Sequence, residues 1–349
     1  MERGINQRKT EHIRLCLTRD VEGVNKSTGL EGIDFIHNAL PEINFHDIEI
    51  NTSFLGKELR TPFLVSSMTG GSELATIINQ NLARAAEEKG WTMAIGSTRA
   101  MLESNAHKES FLIKEYAPNV PLIVNLGAVQ LNYGYGAEEA QRIVDLTNAD
   151  SIVLHLNSLQ EVVQDGGDLN FENLLPKIEE LCKVVNVPVG AKEVGFGIDG
   201  TVAEKLYNAG ISYIDVAGAG GTSWSQVEKL RSKDPLRRAA AEAFNSWGIP
   251  TKDCIVSVRS KLPSVPLVSS GGMKTGVDAA KAITIGADII GFARHLLKSA
   301  TESTEKVLET MEQIEMELKM TMFGIGVKNL DDLKNTKRVK IMGKSLLDE

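Results

Sequence analysis

Cysteine is scarce in this sequence, and long apolar runs are absent. The three cysteines among 349 residues, Cys16, Cys182 and Cys254, lie far apart and form no closely spaced pair. This spacing argues against a zinc site and a disulfide framework, and it leads us to expect a reduced, cytoplasmic setting. No apolar run approaches the roughly 18 residues that a membrane span requires, and residues 1–12 are polar. We therefore expect a protein that is neither exported nor anchored in a membrane.

Positive charge is also in deficit. The chain carries 38 Lys and Arg against 46 Asp and Glu, a formal net charge of −8. Nucleic-acid surfaces require an excess of basic residues, so we do not expect a nucleic-acid partner. With 42% hydrophobic residues the chain can bury a sizeable core. Any anionic ligand must therefore be bound by local groups.

From residue 62 onward the sequence repeats a short apolar run, a polar or Gly-rich end and a helical stretch. Eight such runs predict eight buried parallel strands: 63–67, 92–95, 122–125, 151–155, 188–192, 213–216, 267–270 and 288–291. This α/β pattern predicts a single-domain (β/α)₈ TIM barrel over residues 62–301. Residues 1–61 form an N-terminal extension, 222–250 a long insertion after strand 6, and 302–349 a C-terminal helix and tail.

Small and polar residues follow nearly every predicted strand. A doubly wound open sheet would show similar local patterns, so the strand count alone does not decide the fold. In barrels, however, the active site lies at the carboxyl ends of the strands. Polar enrichment at each strand end therefore favours a barrel with a ligand across its mouth.

Two glycine-containing loops indicate a phosphate site. Residues 269–276 (SSGGMKTG) follow the seventh strand and precede a helix, and residues 291–294 (GFAR) follow the eighth. Glycines let backbone amides approach an anion, and a helix amino terminus adds partial positive charge. Either loop alone could be an ordinary turn. Both together, at the strands where barrels commonly bind phosphate, favour a phosphate ligand.

Lys192 lies at the mouth end of the fifth predicted strand. A buried lysine needs an anion or carbonyl dipoles, and the simplest partner is the carboxylate of the neighbouring Glu193. Two functional alternatives are a cation beside the edge of a flavin ring and a Schiff-base nucleophile.

A polar cluster follows the fourth strand. His155 and Asn157 are two residues apart and so project from the same side of an extended segment. Gln160 follows, and Glu161 supplies a hard oxygen of the kind that Mg²⁺ prefers. A single histidine at a strand end is more often structural than catalytic, so the cluster indicates chemistry without proving it.

Other candidates have plain structural alternatives. Residues 8–12 (RKTEH) concentrate basic side chains, but charged runs near a terminus are usually solvated, and they become a diphosphate clamp only if they dock over the mouth. Glu228, in the insertion, is by itself best interpreted as a surface helical residue. Ser97, Asn125 and Thr222 are ordinary turn residues unless they face the mouth.

Together these motifs resemble one family, the type 2 isopentenyl-diphosphate isomerases. The resemblance covers nearly the whole chain, through residues 8–12, 68–71, 125–127, 155–161, 192–197, 220–224 and 271–272. It implies FMN contacts from Ser67, Met68, Thr69, Ser97, Asn125, Lys192, Thr222, Gly271, Gly272, Met273, Ala293 and Arg294. It implies substrate contacts from Arg8, Lys9, His12, His155, Asn157 and Gln160. The catalytic residues that it implies are His155, Asn157, Gln160 and Glu228, with Gln160 and Glu228 as secondary candidates for proton handling.

The resemblance also implies a metal, a reaction and an assembly. Glu161 would contact Mg²⁺, NADPH would serve as reductant, and isopentenyl diphosphate would become dimethylallyl diphosphate by a 1,3-proton shift in isoprenoid biosynthesis. A homotetramer or larger assembly is expected. Three departures stand out: Ala217 replaces a frequent serine, Lys274 a frequent arginine and Gly166 a common glutamate.

Two alternatives stay open. One is an FMN-dependent oxidoreductase on the same barrel, although an IMP-dehydrogenase-like relative would need a cysteine in a mouth loop, where none is expected. The other is a non-catalytic barrel that binds a phosphate ligand.

Overall fold

Eight parallel strands close into one barrel in this computed structural model, which describes residues 2–103 and 108–342. The strands of the described part are β1 (Ile33–Phe35), β2 (Thr52–Phe54), β3 (Lys57–Leu59), β4 (Phe63–Val65), β5 (Thr92–Ser97), β6 (Leu122–Gly127), β7 (Ser151–Leu156), β8 (Val189–Glu193), β9 (Tyr213–Asp215), β10 (Leu267–Ser269), β11 (Ile289–Phe292) and β12 (Val339–Ile341). The barrel consists of β4 to β11.

Helices follow the barrel strands and also flank the barrel sequence. Their bounds in the described part are α1 (Glu2–Thr18), α2 (Glu73–Lys89), α3 (Arg99–Glu103), α4 (Ala137–Thr147), α5 (Ser158–Val163), α6 (Leu174–Val184), α7 (Gly200–Asn208), α8 (Trp224–Arg231), α9 (Pro235–Glu242), α10 (Thr251–Lys261), α11 (Gly276–Thr284), α12 (Arg294–Glu302), α13 (Thr304–Ile325) and α14 (Leu330–Lys334). None of the helices in this part of the chain is long and apolar enough to cross a membrane.

Closure of the ring confirms the predicted barrel and excludes the open sheet. The last strand, β11, pairs in parallel with the first, β4, with Gly291 opposite Leu64. Every predicted strand is present, and its ends differ from the observed ones by at most two residues. Differences of this size are expected, because the ends of an element are the part that a sequence pattern specifies least.

The barrel interior is a small apolar core closed at its amino-terminal end by the β2–β3 hairpin. Residues from seven barrel strands meet there, together with Phe54 and Leu59 of the hairpin. Tyr213 fills the space at β8, because a Cβ on Gly190 would lie 2.1 Å from the Tyr213 ring. The interior is therefore packed below, and only the carboxyl end remains for a ligand.

A larger core lies between the strands and the outer helices. For example, α2 begins after Ser72, whose hydroxyl accepts from the Ala75 amide at 3.2 Å, and it buries Ile78 and Leu82 against the barrel. Each side chain of this size contributes about 1.5–3 kcal/mol when it leaves water. This layer holds the strands, and hence the loops at the mouth, in fixed positions.

The segments before and after the barrel sequence meet outside the barrel. In the extension, β1 pairs antiparallel with β12 of the tail, with Asp34 opposite Lys340. The amino-terminal helix α1 contacts α8, α12 and α2. The insertion after β9 forms α8 and α9, which pack on each other and on α5. The extension and the insertion thereby form the walls and roof of the mouth.

Candidate active site

A cavity of about 520 Å³ lies at the carboxyl ends of the barrel strands, beneath α1. It brings together nearly all the side chains that the sequence nominated. Those that line it are Arg8, Lys9, His12, Ser67, Met68, Thr69, Ser97, Asn125, His155, Asn157, Gln160, Glu161, Lys192, Thr222, Gly271, Gly272, Met273, Ala293 and Arg294. Glu228 is the exception and lies behind the wall.

Several polar atoms of the cavity wall have no partner within the described parts of the chain. Ser66 Oγ, Ser67 Oγ, Thr69 Oγ1 and Asn157 Oδ1 are buried, line the cavity and lack a hydrogen bond. Buried polar groups in native proteins are nearly always paired, so these atoms indicate a polar ligand. Ser67 and Thr69 are two of the predicted FMN contacts, and hydroxyl groups without a hydrogen-bond partner fit the binding of that cofactor.

The predicted phosphate loop depends on close backbone approach. Gly271 and Gly272 have φ of +97° and +76°, in the left-handed region. A Cβ on Gly271 would lie 2.2 Å from Gly218 O, and one on Gly272 would lie 2.5 Å from Gly220 O. The glycine loops that follow β9 and β10 therefore pack backbone to backbone, and Gly271 and Gly272 line the cavity without side chains, as a phosphate-binding loop requires.

The two neighbouring helix amino termini differ in their availability. At α11, Thr275 and Asp278 cap each other, and the Gly276 amide donates to Glu317 at 2.7 Å. The prediction that this helix offers its amino terminus to phosphate is therefore wrong, because these amides are satisfied. At α12 the preceding residue, Ala293, provides no side-chain cap, and it lines the cavity. This amino terminus is the one positioned to bind an anion.

Arg294 connects the phosphate loops to α1. Its guanidinium donates to Cys16 O and to Glu22 Oε1, each at 3.0 Å. Lys274 contacts the same Glu22 carboxylate at 3.1 Å. The backbone of Glu22 also bridges to Thr222. Arg294, which is one of the predicted FMN contacts, thus also anchors α1 as the roof of the cavity.

Lys192 does not pair with the carboxylate of Glu193. Its ammonium donates instead to the Glu193 backbone carbonyl at 2.6 Å. The Glu193 carboxylate accepts from four successive amides, those of residues 194–197. Asp215 stands opposite Lys192 in the barrel register and is buried, but it makes no ion pair with that lysine. The Lys192 ammonium therefore remains available on the cavity wall, as a flavin-facing cation requires.

His155 and Asn157 line the same cavity, as their spacing predicts. His155 Nδ1 lies 2.6 Å from Asn125 Oδ1 on the adjacent strand. Burial first, and then the charge of Lys192, lowers the pKa of His155 to about 3. The imidazole is therefore neutral in the ligand-free chain, and it does not contribute a positive charge to a diphosphate site.

A chain of hydrogen bonds links Glu161 to Glu228 through two amides. Asn157 Nδ2 donates to Glu161 Oε1 at 2.8 Å and faces Gln160 Oε1 at 3.4 Å. Gln160 Nε2 donates to Glu228 Oε1 at 3.1 Å. The Gln160 amide is therefore oriented at both ends.

Glu228 is not the surface residue that its helix position suggests. It is 1% exposed, because α8 packs on both α5 and α1. Burial by itself would raise the pKa of Glu228, but contacts with His12, Arg231 and Gln160 hold it at about 2. His12 Nε2 lies 2.9 Å from Glu228 Oε1, although its direction gives no well-formed hydrogen bond. Glu228 is thus an ionised carboxylate that reaches the cavity only through its neighbours.

Glu161 is buried and only partly satisfied. Its Oε2 accepts from Gln164 Nε2 at 3.1 Å and from the Asp168 amide at 2.8 Å. Burial raises the pKa of this carboxyl, while the bonds from the Asp168 amide and from Asn157 oppose the rise. Across residues 2–103 and 108–342, no cluster of three or more His, Cys, Asp or Glu side chains could hold a metal. A single carboxylate fits a Mg²⁺ whose other ligands are water and substrate phosphate.

Three cations gather at the end of the cavity under α1. Arg8 and Lys9 of α1 face Arg99, which follows β5. Enclosure away from water, and then the charges of Arg8 and Arg99, lower the pKa of Lys9 to about 8. The amino-terminal cluster therefore docks over the mouth, so its interpretation as a solvated terminus is wrong. Mutually repelling cations in a cavity form a site for a polyanion.

Arg99 is not among the site residues predicted from the sequence. It lies two residues after Ser97 and donates to Asp168 Oδ2 and Gln130 Oε1, each at 2.9 Å. The polar enrichment at strand ends could have found it if that argument had been extended past Ser97. Nothing in the sequence showed that it would meet α1.

Cys16 also lines the cavity, from α1 rather than from a mouth loop. Burial raises the pKa of its thiol to about 11. A thiol that stays protonated at neutral pH is a poor nucleophile. The cysteine chemistry that an IMP-dehydrogenase-like relative would need is therefore not found at this position.

Comparison with known proteins agrees with this geometry. Residues 148–340 match the FMN-dependent dehydrogenase family. An isopentenyl-diphosphate delta-isomerase of Oceanobacillus iheyensis is 79% identical over 349 residues, covering 100% of both chains. One of Nostoc sp. is 48% identical over 329 residues, or 94% of each chain.

Solved structures show the same fold at low identity. Flavocytochrome b2 with sulfite bound has a TM-score of 0.68 at 18% identity, covering 97% of this chain and 86% of that one. A mandelate oxidase mutant with a monooxide FMN adduct has a TM-score of 0.64 at 15% identity, covering 90% of each. At such identities the likeness concerns the barrel alone, whereas the full-length relatives favour an isomerase over the oxidoreductase alternative. The chain belongs to the type 2, FMN-dependent isopentenyl-diphosphate delta-isomerase family.

Proposed function

We propose that the protein converts isopentenyl diphosphate to dimethylallyl diphosphate by a 1,3-proton shift, as the names of its relatives suggest. One observation carries the proposal: a single cavity has two separate groups of lining residues whose chemistry suits an anion. Gly271, Gly272 and the amino terminus of α12 form one group, and Arg8, Lys9 and Arg99 form the other. The first suits the phosphate of FMN, and the second suits the diphosphate of the substrate.

FMN would be held by the residues whose polar atoms are open or placed on the wall. Ser67 and Thr69 would bind the ring system, Lys192 would lie at its edge, and the glycine loop would bind the phosphate. When bound in its reduced form, FMN supplies an electron-rich ring face and an exchangeable proton beside the alkene.

The chain's own groups bind and orient the substrate. Arg8, Lys9 and Arg99 neutralise the diphosphate, and Glu161 would share a Mg²⁺ with its oxygens. This remote binding energy fixes the alkene against the opposite wall. Gln160, held by Asn157 and Glu228, lies on the cavity wall, and we propose that it orients the substrate while a proton leaves C2 and another adds to C4. The neutral imidazole of His155 provides a further polar contact without a fixed charge.

NADPH is the proposed reductant, and isoprenoid biosynthesis the proposed pathway. A homotetramer or larger assembly in the cytoplasm is proposed, and the three free cysteines agree with a reducing compartment.

The test combines spectroscopy with product analysis. The purified protein is expected to show a flavin absorption spectrum and, under anaerobic conditions with NADPH or dithionite, to form dimethylallyl diphosphate in the presence of Mg²⁺. Little product is expected with oxidised flavin. Equal rates with and without reduction would contradict the proposal, and a colourless protein that takes up no FMN would favour a non-catalytic binding barrel.

A further inference from the structure

We propose that Arg231 is a positioning residue, which orients Gln160 through Glu228 and joins both to the roof helix α1. The inference rests on the isomerase function proposed above. Arg231 is the last residue of α8, and its side chain is 15% exposed. It is not part of the cavity wall. Any effect on the reaction must therefore pass through its neighbours.

Two carboxylates on different helices bind the Arg231 guanidinium. Nη1 lies 2.5 Å from Glu228 Oε2, and Nε lies 3.2 Å from Glu11 Oε2. Glu228 belongs to α8 and Glu11 to α1. Arg231 is thus a bridge from the insertion to the helix that carries Arg8, Lys9 and His12.

The bridge determines which oxygen of Glu228 faces the site. Because Oε2 is bound by Arg231, only Oε1 is left for Gln160 Nε2 at 3.1 Å and His12 Nε2 at 2.9 Å. A carboxylate accepts but does not donate, so it selects the amide nitrogen of Gln160. The Gln160 oxygen is thereby directed toward Asn157. Without Arg231, the Glu228 side chain loses the contact that fixes its rotation.

The charges around Glu228 give the proposal a pH signature. From α1 it is faced by the titratable or charged groups of Arg8, Lys9, His12 and Cys16. From its own helix it is faced by Arg231, and α5 contributes the uncharged Gln160. Arg231 itself is also faced by Glu11 and, at longer range, by Asp165. A guanidinium is charged at every working pH, so its removal raises the pKa of Glu228.

The experiment compares four variants of the FMN-bound protein. Arg231→Gln removes both contacts, Arg231→Lys keeps a charge, and Glu11→Gln weakens only the contact with α1. Lys229→Gln is the matched control, because Lys229 lies on the same helix and pairs with Glu242, away from the cavity. We measure kcat and KM against pH, together with hydrogen exchange of the α1 amides in the absence of turnover.

We expect Arg231→Gln to lower kcat by roughly 10- to 100-fold. The acid limb of the kcat profile against pH should move to higher pH in this variant, because Glu228 becomes easier to protonate. Arg231→Lys should restore that limb. Glu11→Gln should leave kcat within about threefold, while KM rises and α1 exchanges faster. Lys229→Gln should match the wild type in all of these measurements.

An Arg231→Gln profile that superimposes on that of Lys229→Gln would overturn the inference. Loss of activity without a shift of the acid limb would overturn it as well, since it would indicate a merely structural residue. Failure of the proposed function is distinguishable, because the wild-type protein itself would then form no product, whereas the exchange of α1 would still report on the Glu11 contact.

Discussion

Asn125 determines the tautomer of His155. The Asn125 Oδ1 atom, 2.6 Å from His155 Nδ1, can only accept a hydrogen bond, so the neutral ring carries its proton on Nδ1. Nε2 is then left with a lone pair. A histidine in this state contacts a phosphate oxygen favourably only after it takes up a proton.

We therefore predict that His155 stays neutral across the physiological pH range. Asn125→Ala should leave its pKa low, because burial and not the amide is the main cause. Asn125→Asp should raise it by one unit or more through the added charge. Imidazole chemical shifts measured from pH 4 to 9 decide between these outcomes. A return of the pKa to about 6.5 in Asn125→Ala would show that burial is not responsible.

The lowered pKa of Lys9 implies that substrate binding depends on pH. In the free protein its pKa is about 8, and a bound diphosphate would raise it by supplying counter-charge. Above pH 8 binding must therefore take up a proton, and KM should rise by up to about tenfold per pH unit. Lys9→Arg should flatten this rise, because arginine keeps its charge. Lys183→Arg, an exposed position on α6, should behave like the wild type; a flat wild-type profile would contradict the prediction.

The close backbone packing at Gly272 implies that flavin binding requires a residue without a Cβ at this position. Gly272→Ala and Gly134→Ala place alanine at φ of +76° and +86°, so the backbone cost of about 1–2 kcal/mol is similar. Only at Gly272 does the new Cβ collide, 2.5 Å from Gly220 O, whereas Gly134 has open space. We expect Gly272→Ala to weaken FMN binding at least tenfold in titrations of the apoprotein. Equal losses in both variants would show that strain, not the close packing, is the cause.

We predict that Glu161 affects the dependence of activity on Mg²⁺ without affecting flavin binding. Glu161→Gln replaces one carboxylate oxygen by an amide nitrogen, which cannot coordinate Mg²⁺ and also disturbs the bond from Asn157. The Mg²⁺ concentration for half-maximal activity should rise at least about tenfold, with a normal flavin content. Glu180→Gln on the exposed face of α6 serves as the control. Loss of flavin in Glu161→Gln would assign Glu161 a structural role instead.

The barrel and most of the cavity wall could be predicted because both depend on local patterns. Each of the eight buried strands is indicated by an apolar run in the sequence, and the carboxyl ends of parallel strands must share one face. His155, Asn157, Lys192 and Gly271 follow such ends directly. Their meeting in one cavity is therefore a consequence of chain order and strand direction.

Contacts between segments distant in the sequence were decided only by the tertiary structure. Glu228 looks like a surface residue on its own helix, and it is buried because α1 and α5 cover it. The same packing brings Arg8 and Lys9 to Arg99, about 90 residues away in the chain. A side chain's local sequence determines its helix or strand, whereas its burial, charge state and partner depend on which distant surface covers it, and no local pattern records that.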